Sequence, residues 1–197
     1  LSGAAGNEME ILTAKAKEMG ATTKFTAQEA SQAMQYMSMA GWDASAMTAG
    51  LGGVMQLAAA SGEELGTVSD IVTDALTAFG MTANDTNRFV DILAATATKS
   101  NTNVSMLGES FKYAAPLCGT LGYSAQDAAV ALGLMANSGI KASQAGTTLK
   151  TALANLSAPT EKQAAVMDDL NISMTNTDGT MKTMMDLTKN LRSAFSG

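Results

Sequence analysis

The sequence predicts an all-α fold, a compact multi-helix array of stacked helical hairpins, and three observations carry that expectation. The first is a recurring phrase of glycine, an apolar residue, a small polar residue and alanine. It stands at Gly41-Trp42-Asp43-Ala44, Gly80-Met81-Thr82-Ala83 and Gly122-Tyr123-Ser124-Ala125, with a looser copy at Gly139-Ile140-Lys141-Ala142. Glycine takes the left-handed conformation that closes a helix, the apolar residue folds back onto the finished turn, and Asp, Thr or Ser caps the next helix. Gly41 to Gly80 is 39 residues and Gly80 to Gly122 is 42, room for two ordinary helices in each interval. The second observation is composition: 46% of the residues are hydrophobic, alanine and methionine supply much of that, and only Pro116 and Pro159 would break helices. The third is apolar spacing of three and four residues along most of the chain.

The elements follow in order. Residues 4 to 19 place Met9, Leu12, Ala16 and Met19 on one side of a helical arm that Gly20 should end. Thr26-Ala27-Gln28-Glu29 has the S/T-x-x-E form of a capping box. Its helix should reach about Met39 and present Ala30, Met34 and Met37 along one side. After the Gly41 corner a helix should run through Leu51 and Leu57 to Ala60, weakened in the middle by Gly50, Gly52 and Gly53. Ser61-Gly62-Glu63-Glu64 repeats the capping form. The clearest stripe follows, Val68, Ile71, Val72, Ala75, Leu76 and Phe79, with Ser69, Asp70, Thr73, Asp74 and Thr77 on a face that can stay in water.

Beyond Gly80 the next helix carries Phe89, Val90, Leu93 and Ala97, and the polar loop Lys99 to Asn103 breaks the pattern. A helix from about Val104 should be kinked or interrupted by Pro116 before Gly122. Ala125, Ala128, Ala129, Leu132 and Ala136 form one further face, and Ala145, Leu149, Ala152, Leu153 and Leu156 another. Pro159 to Gln163 opens a short helix that Leu170 ends. Residues 172 to 181 have the makings of a small β-hairpin, because Asp178-Gly179 suits a tight turn. A last helix over residues 183 to 195 aligns Met184, Leu187, Leu191 and Phe195. The expected division is an N-terminal helical arm over residues 1–21, a core helical domain over 22–158 and a C-terminal helical extension over 159–197.

Charge and residue usage exclude several chemistries. The net charge is −6 and no run of lysine or arginine interrupts the chain, which argues against direct nucleic-acid binding by this segment. Histidine is absent, which removes the commonest general base and the commonest zinc ligand. A single cysteine, Cys118, rules out an internal disulfide and a four-cysteine metal site. The longest apolar stretch, Ala128 to Ala136, is nine residues, about half of a membrane span, so no transmembrane helix is expected. The chain opens on Leu1 and shows no signal peptide, and is expected to be a piece of a longer protein.

Five features invite a functional reading. Gly50, Gly52 and Gly53 resemble a phosphate loop, but the dinucleotide spacing would need glycine at Met55, and no strand precedes them. Asp178-Gly179 evokes a calcium loop, yet Met174 and Met185 stand where its first and twelfth ligands belong. Asp70 and Asp74 lie one helical turn apart and could share acid-base work, but they fall opposite the apolar stripe, where a solvated face is expected. Cys118 has no histidine to activate it and sits among apolar neighbours, so an inert packed thiol is expected. The fifteen methionines, at helical spacing, read as core filler before they read as a greasy binding surface or a copper path. No catalytic, cofactor-binding or metal-binding residue is therefore assigned, and no enzyme is expected.

Several ordered phrases carry a family resemblance. They are Ala58-Ala59-Ala60-Ser61-Gly62, the stripe from Val68 through Phe79 to Gly80, Phe111-Lys112-Tyr113-Ala114-Ala115-Pro116, and Gly139-Ile140-Lys141-Ala142-Ser143-Gln144-Ala145-Gly146-Thr147. In this order, from about Thr22 to Leu156, the chain resembles the TP901-like core region of phage tail tape measure proteins. Lys141-Ala142 departs from the Lys-Gly that relatives tend to show, which bears on how tightly that corner turns.

The resemblance implies a structural role in the tail of a phage or prophage. Such proteins occupy the tail lumen of the virion, set tail length, and leave with the DNA at infection. It implies partners as well: tail-tube proteins, tail assembly chaperones and copies of itself, with host envelope contact during ejection, after assembly in the host bacterial cytoplasm. The corners fold the helical length back, so this segment is expected to be a compact head on a longer ruler. The competing reading is a membrane-active helical bundle, which lacks any helix combining a basic face with a bulky apolar one.

Overall fold

The computed structural model describes residues 6–195. Among these, ten α-helices follow one another: α1 (Gly6–Thr22), α2 (Ala27–Met39), α3 (Ala44–Ser61), α4 (Leu65–Ala78), α5 (Thr86–Lys99), α6 (Val104–Thr120), α7 (Ala125–Asn137), α8 (Ala142–Ser157), α9 (Glu161–Asp169) and α10 (Met184–Ala194). A 3₁₀ turn, Ala83–Asp85, leads into α5. The all-α expectation holds. The residues expected to start the first helix, 4 and 5, lie outside the described residues, as does the end of the extension.

The corners are built as the repeated phrase requires. Gly41, Gly80, Gly122 and Gly139 have φ of +87°, +65°, +80° and +89°. In each the amide of the next residue reaches five residues back, Trp42 to the Met37 carbonyl, Met81 to Leu76, Tyr123 to Cys118 and Ile140 to Met135, at 2.8 to 3.0 Å. That bond satisfies a carbonyl the helix end would otherwise leave unpaired. Asp43 and Ser124 then cap α3 and α7, accepting from the amides of Ala46 and Asp127. Thr82 donates its amide to the Asp85 carboxylate at 2.9 Å, which secures the 3₁₀ turn before α5.

These corners produce two layers. α2 packs on α4, α4 on α6 and α6 on α8, while α1 packs on α3, α3 on α5, α5 on α7 and α7 on α10. Consecutive helices from α1 to α8 also touch, so each hairpin bridges the layers. The glycine corners at 41, 80 and 122 share one edge of the stack, and Gly139 turns at the opposite edge.

Three hairpins superimpose in sequence when their corner glycines are aligned. Four residues before the glycine stand Met37, Leu76 and Cys118, and eight before stand Ala33, Val72 and Ala114. Ten residues after it stand Leu51, Val90 and Leu132, and all nine of these side chains are buried. At the centre, Phe111 meets Phe79 and Phe89 edge to face, each at 5.8 Å between ring centroids.

Small residues let the helices approach. A Cβ on Gly146 of α8 would lie 2.9 Å from the Ser110 Cα and against the Ser110 carbonyl. The Ser110 hydroxyl sits 2.8 Å from the Ala142 carbonyl and 2.9 Å from that of Met106, tying α6 to the start of α8. Ala142 itself has φ of +51°, a left-handed residue with a Cβ. The alanine in the Lys141-Ala142 step thus occupies a conformation that favours glycine.

Several sequence expectations need correction. Gly20 does not end α1, which runs on to Thr22; a Cβ there would lie 2.6 Å from the Ala27 amide nitrogen, so the glycine admits the start of α2. Met9, expected on the buried stripe, is half exposed, whereas Leu12, Ala16 and Met19 pack against α2 and α3. Ser61 and Glu64 form no capping box, because Gly62 (φ +74°) closes α3 and leaves Glu64 as an N-cap without a side-chain bond. Ser69 and Thr73 are buried rather than hydrated: Ser69 donates to the Ala33 carbonyl of α2 at 3.0 Å, and Thr73 bonds back to the Ser69 carbonyl at 3.0 Å. α4 is covered on both flanks, which its own periodicity could not reveal.

Pro116 lies inside α6, which continues to Thr120 without interruption. Ala152 faces outward, because α8 is the last helix of its layer and buries only the narrow face of Ala145, Gly146, Leu149 and Leu153. The expected β-hairpin reduces to a turn closed by a single Thr175–Met181 bridge. Asp178 accepts from the Thr180 amide at 2.9 Å, and Asn176 donates to the Thr180 carbonyl at 2.8 Å, but no strand forms on either side. The helix beyond it starts at Met184, capped by Thr183, and Phe195 at its end is 72% exposed.

The corner geometry makes opposite predictions for two residues. Gly122→Ala should lower stability by about 1 to 2 kcal/mol, since a Cβ is penalised in the left-handed region. Ala142→Gly should raise it by about 0.5 to 1 kcal/mol, the same relief offset by glycine's extra chain entropy. Urea titrations of the two variants beside the parent check both signs, and a stabilised Gly122→Ala would refute the corner assignment.

Candidate functional site

Each residue singled out by the sequence has a definite place in the stack. Gly50, Gly52 and Gly53 lie within α3, not ahead of a helix, so they make no anion cradle. A Cβ on Gly50 would strike the Trp42 ring, and one on Gly53 would lie 2.5 Å from the Asn87 side-chain oxygen. Those two glycines therefore receive the Trp42 ring and the first turn of α5. Asp178 turns inward on its own loop, where the Thr180 hydroxyl and amide hold its carboxyl below the usual range. It offers no outward ligand set. Among the described residues no group of three or more Cys, Asp or Glu is placed to hold a metal ion.

Cys118 is fully buried in α6, in register with Met37 and Leu76 of the other hairpins. Burial, with a smaller contribution from the Asp127 charge, pushes its thiol up to about 12. A thiol held that high carries almost no thiolate at neutral pH, so it is a packing residue. Tyr123, in the corner that follows, is also buried, and burial pushes its phenol up. The methionines divide: Met37, Met47 and Met55 are wholly buried filler, whereas Met39 is 75% exposed.

Asp70 and Asp74 are exposed on α4, at the rim of a groove of about 330 Å³ between α4 and α6. Ile71, Ala75, Phe111 and Ala115 line the groove, and Glu109 and Lys112 stand on the α6 side. Partial burial raises the Asp74 carboxyl, the neighbouring Asp70 charge raises it further, and Lys112 opposes both. The pair is thus a repelling couple beside an apolar trough, a surface that the helical stripe alone did not disclose.

Two features of the C-terminal region escaped sequence reasoning. Asn171 takes φ of +52° and closes α9 as the glycines close their helices, with Ile172 donating to the Met167 carbonyl at 2.7 Å. Asn-Ile-Ser is the corner phrase with asparagine in place of glycine, a substitution the left-handed region tolerates. Asn190 of α10 then grips that corner, accepting from the Ser173 amide at 3.1 Å and donating to the Asn171 carbonyl at 3.0 Å. No helix among the described residues is long and apolar enough to cross a membrane.

The buried thiol supplies a direct check. Native protein at pH 8 should leave Cys118 unmodified by an aromatic disulfide reagent over hours, and denaturant should release one reactive thiol per chain. Rapid labelling of the native protein would show that α6 is not packed as described.

Residues 13–197 match the family model described as phage-related minor tail protein. The chain is 34% identical over its full 197 residues to the tape measure protein of Pneumococcus phage Dp-1, covering 17% of that relative. It is 24% identical over 188 residues, 95% of its length, to the probable tape measure protein of Escherichia phage P2, covering 23% of it. The chain therefore spans less than a quarter of the length of these curated relatives. No solved structure matches it. With the family model and the relatives in agreement along nearly the whole chain, it belongs to the phage-related minor tail proteins, the family of phage tail tape measure proteins.

Proposed function

We propose that this chain is the folded head of a tape measure protein that sets tail length, takes part in tail assembly and assists DNA ejection. The observation that carries the reading is the likeness to tape measure proteins of two phages along almost the entire chain. The two-layer stack refines it. A ruler gains about 1.5 Å per helical residue only if its helices run on end to end. Here each helix is folded back by a corner, so this segment acts as a compact body and leaves the measuring to other parts of the protein.

In this reading residues 1–21 are an N-terminal helical arm, residues 22–158 are the core and residues 159–197 are a C-terminal extension. The role is structural, with no residue assigned to catalysis. The partners are tail-tube proteins, tail assembly chaperones and further copies of the chain, met in the host cytoplasm during assembly and in the tail lumen of the virion. Host envelope contact follows at ejection.

Particles purified from an induced culture of the source strain test the reading by mass spectrometry. Peptides from residues 22 to 156 should be present in tailed particles and lost after DNA ejection. Abundant tailed particles without those peptides, from cells that express the protein, would overturn it in favour of an assembly factor or a membrane-active module.

A further inference from the structure

We propose that the groove between α4 and α6 is a docking site for a basic amphipathic helix of a partner protein. The shape of the groove is set by small residues. Gly108 brings α6 onto Ile71, where a Cβ would lie 2.5 Å from Cγ1, and Gly119 seats α6 against the Ala78 carbonyl. Between these two points α6 advances 11 residues, about 16 Å of helix. The trough there is floored by Ala75 and Ala115, with Ile71 and Phe111 beside them. A floor of methyl groups between two packed helices admits the ridge of a third, about three turns long.

The rim chooses the partner's charge. Asp70 and Asp74 on α4 and Glu109 on α6 face Lys112 alone, a net of −2 around the trough from these four exposed residues. Two of those carboxylates stand one turn apart on the same helix, a like-charge spacing that destabilises a helix unless a cation intervenes. A helix presenting Leu or Ala at i, i+3, i+4 and i+7, flanked by Lys or Arg, would fill the floor and neutralise the rim together. An acidic helix would bring like charge to the same edge, and an apolar one would leave the carboxylates beside it partly stripped of water. The carboxyl of Asp74, already raised by burial and by Asp70, would fall when such a cation docks.

The probe is a helical peptide of Leu, Ala and Lys about 18 residues long, compared with the same peptide carrying Glu for Lys, and with spermine. Titrated into the isotopically labelled chain, the lysine peptide should shift the methyl signals of Ile71, Ala75 and Ala115. Its affinity should fall as salt rises. The double variant Asp70→Asn/Asp74→Asn should weaken it about tenfold with no loss of thermal midpoint, since both residues are exposed. Glu109→Gln on the opposite rim gives a second reading if the double variant folds poorly. Shifts confined to other surfaces, equal binding of the glutamate peptide, equal perturbation by spermine, or indifference to the rim substitutions would each overturn the proposal.

Discussion

The left-handed residue at the end of each closed helix is the constraint on which the rest of this structure depends. One backbone conformation, at Gly41, Gly80, Gly122, Gly139 and Asn171, fixes where a helix stops and where the next begins. Because the amide three residues past the helix reaches five residues back each time, the corners have nearly the same shape. Equal corners let equal helices lie in register, and register places Met37, Leu76 and Cys118 at one level of the core. The packing is thus a consequence of backbone geometry that is settled within six residues. The apolar side chain at that level varies in size, a methionine, a leucine and a smaller cysteine sharing one place.

That locality explains what could be read from the sequence and what could not. The corners and the capping box at Thr26 are decided by residues within a turn of each other, and they stand where the spacing put them, while Ser124 and Thr160 close further capping boxes at helix starts. Ser61-Gly62-Glu63-Glu64 went the other way because two local signals competed there, and closure of α3 by Gly62 took precedence over a cap for α4. The burial of Ser69 and Thr73 was illegible for a different reason: α4 has neighbours on both flanks, and a hydroxyl that satisfies itself on a carbonyl can sit in a core as an alanine would. Gly146 and Gly20 were read as helix breakers or passed over, when their role is to let another backbone come close.

The surface was less legible than the core. Asp70 and Asp74 looked like an ordinary hydrated face, and on α4 alone they are one. It is α6, bringing Glu109 and Lys112 opposite them, that turns the same face into the wall of a trough. The charged rim and the apolar floor of that trough belong to two helices together. Periodicity reports on one helix at a time and cannot see such a surface.

The pattern of contacts in the two layers has a mechanical meaning. The substantial helix contacts from α1 to α8 join helices one or two places apart in sequence, and among the described residues the one longer reach is α10 folding back onto α7. A body built this way has no central knot of long-range ties that must break at once. Under tension applied at its ends it would peel, one hairpin at a time, each step exposing a fresh end of the same kind. Slackened, it could wind up again from any hairpin that survived, because every corner carries its own instructions for the next turn.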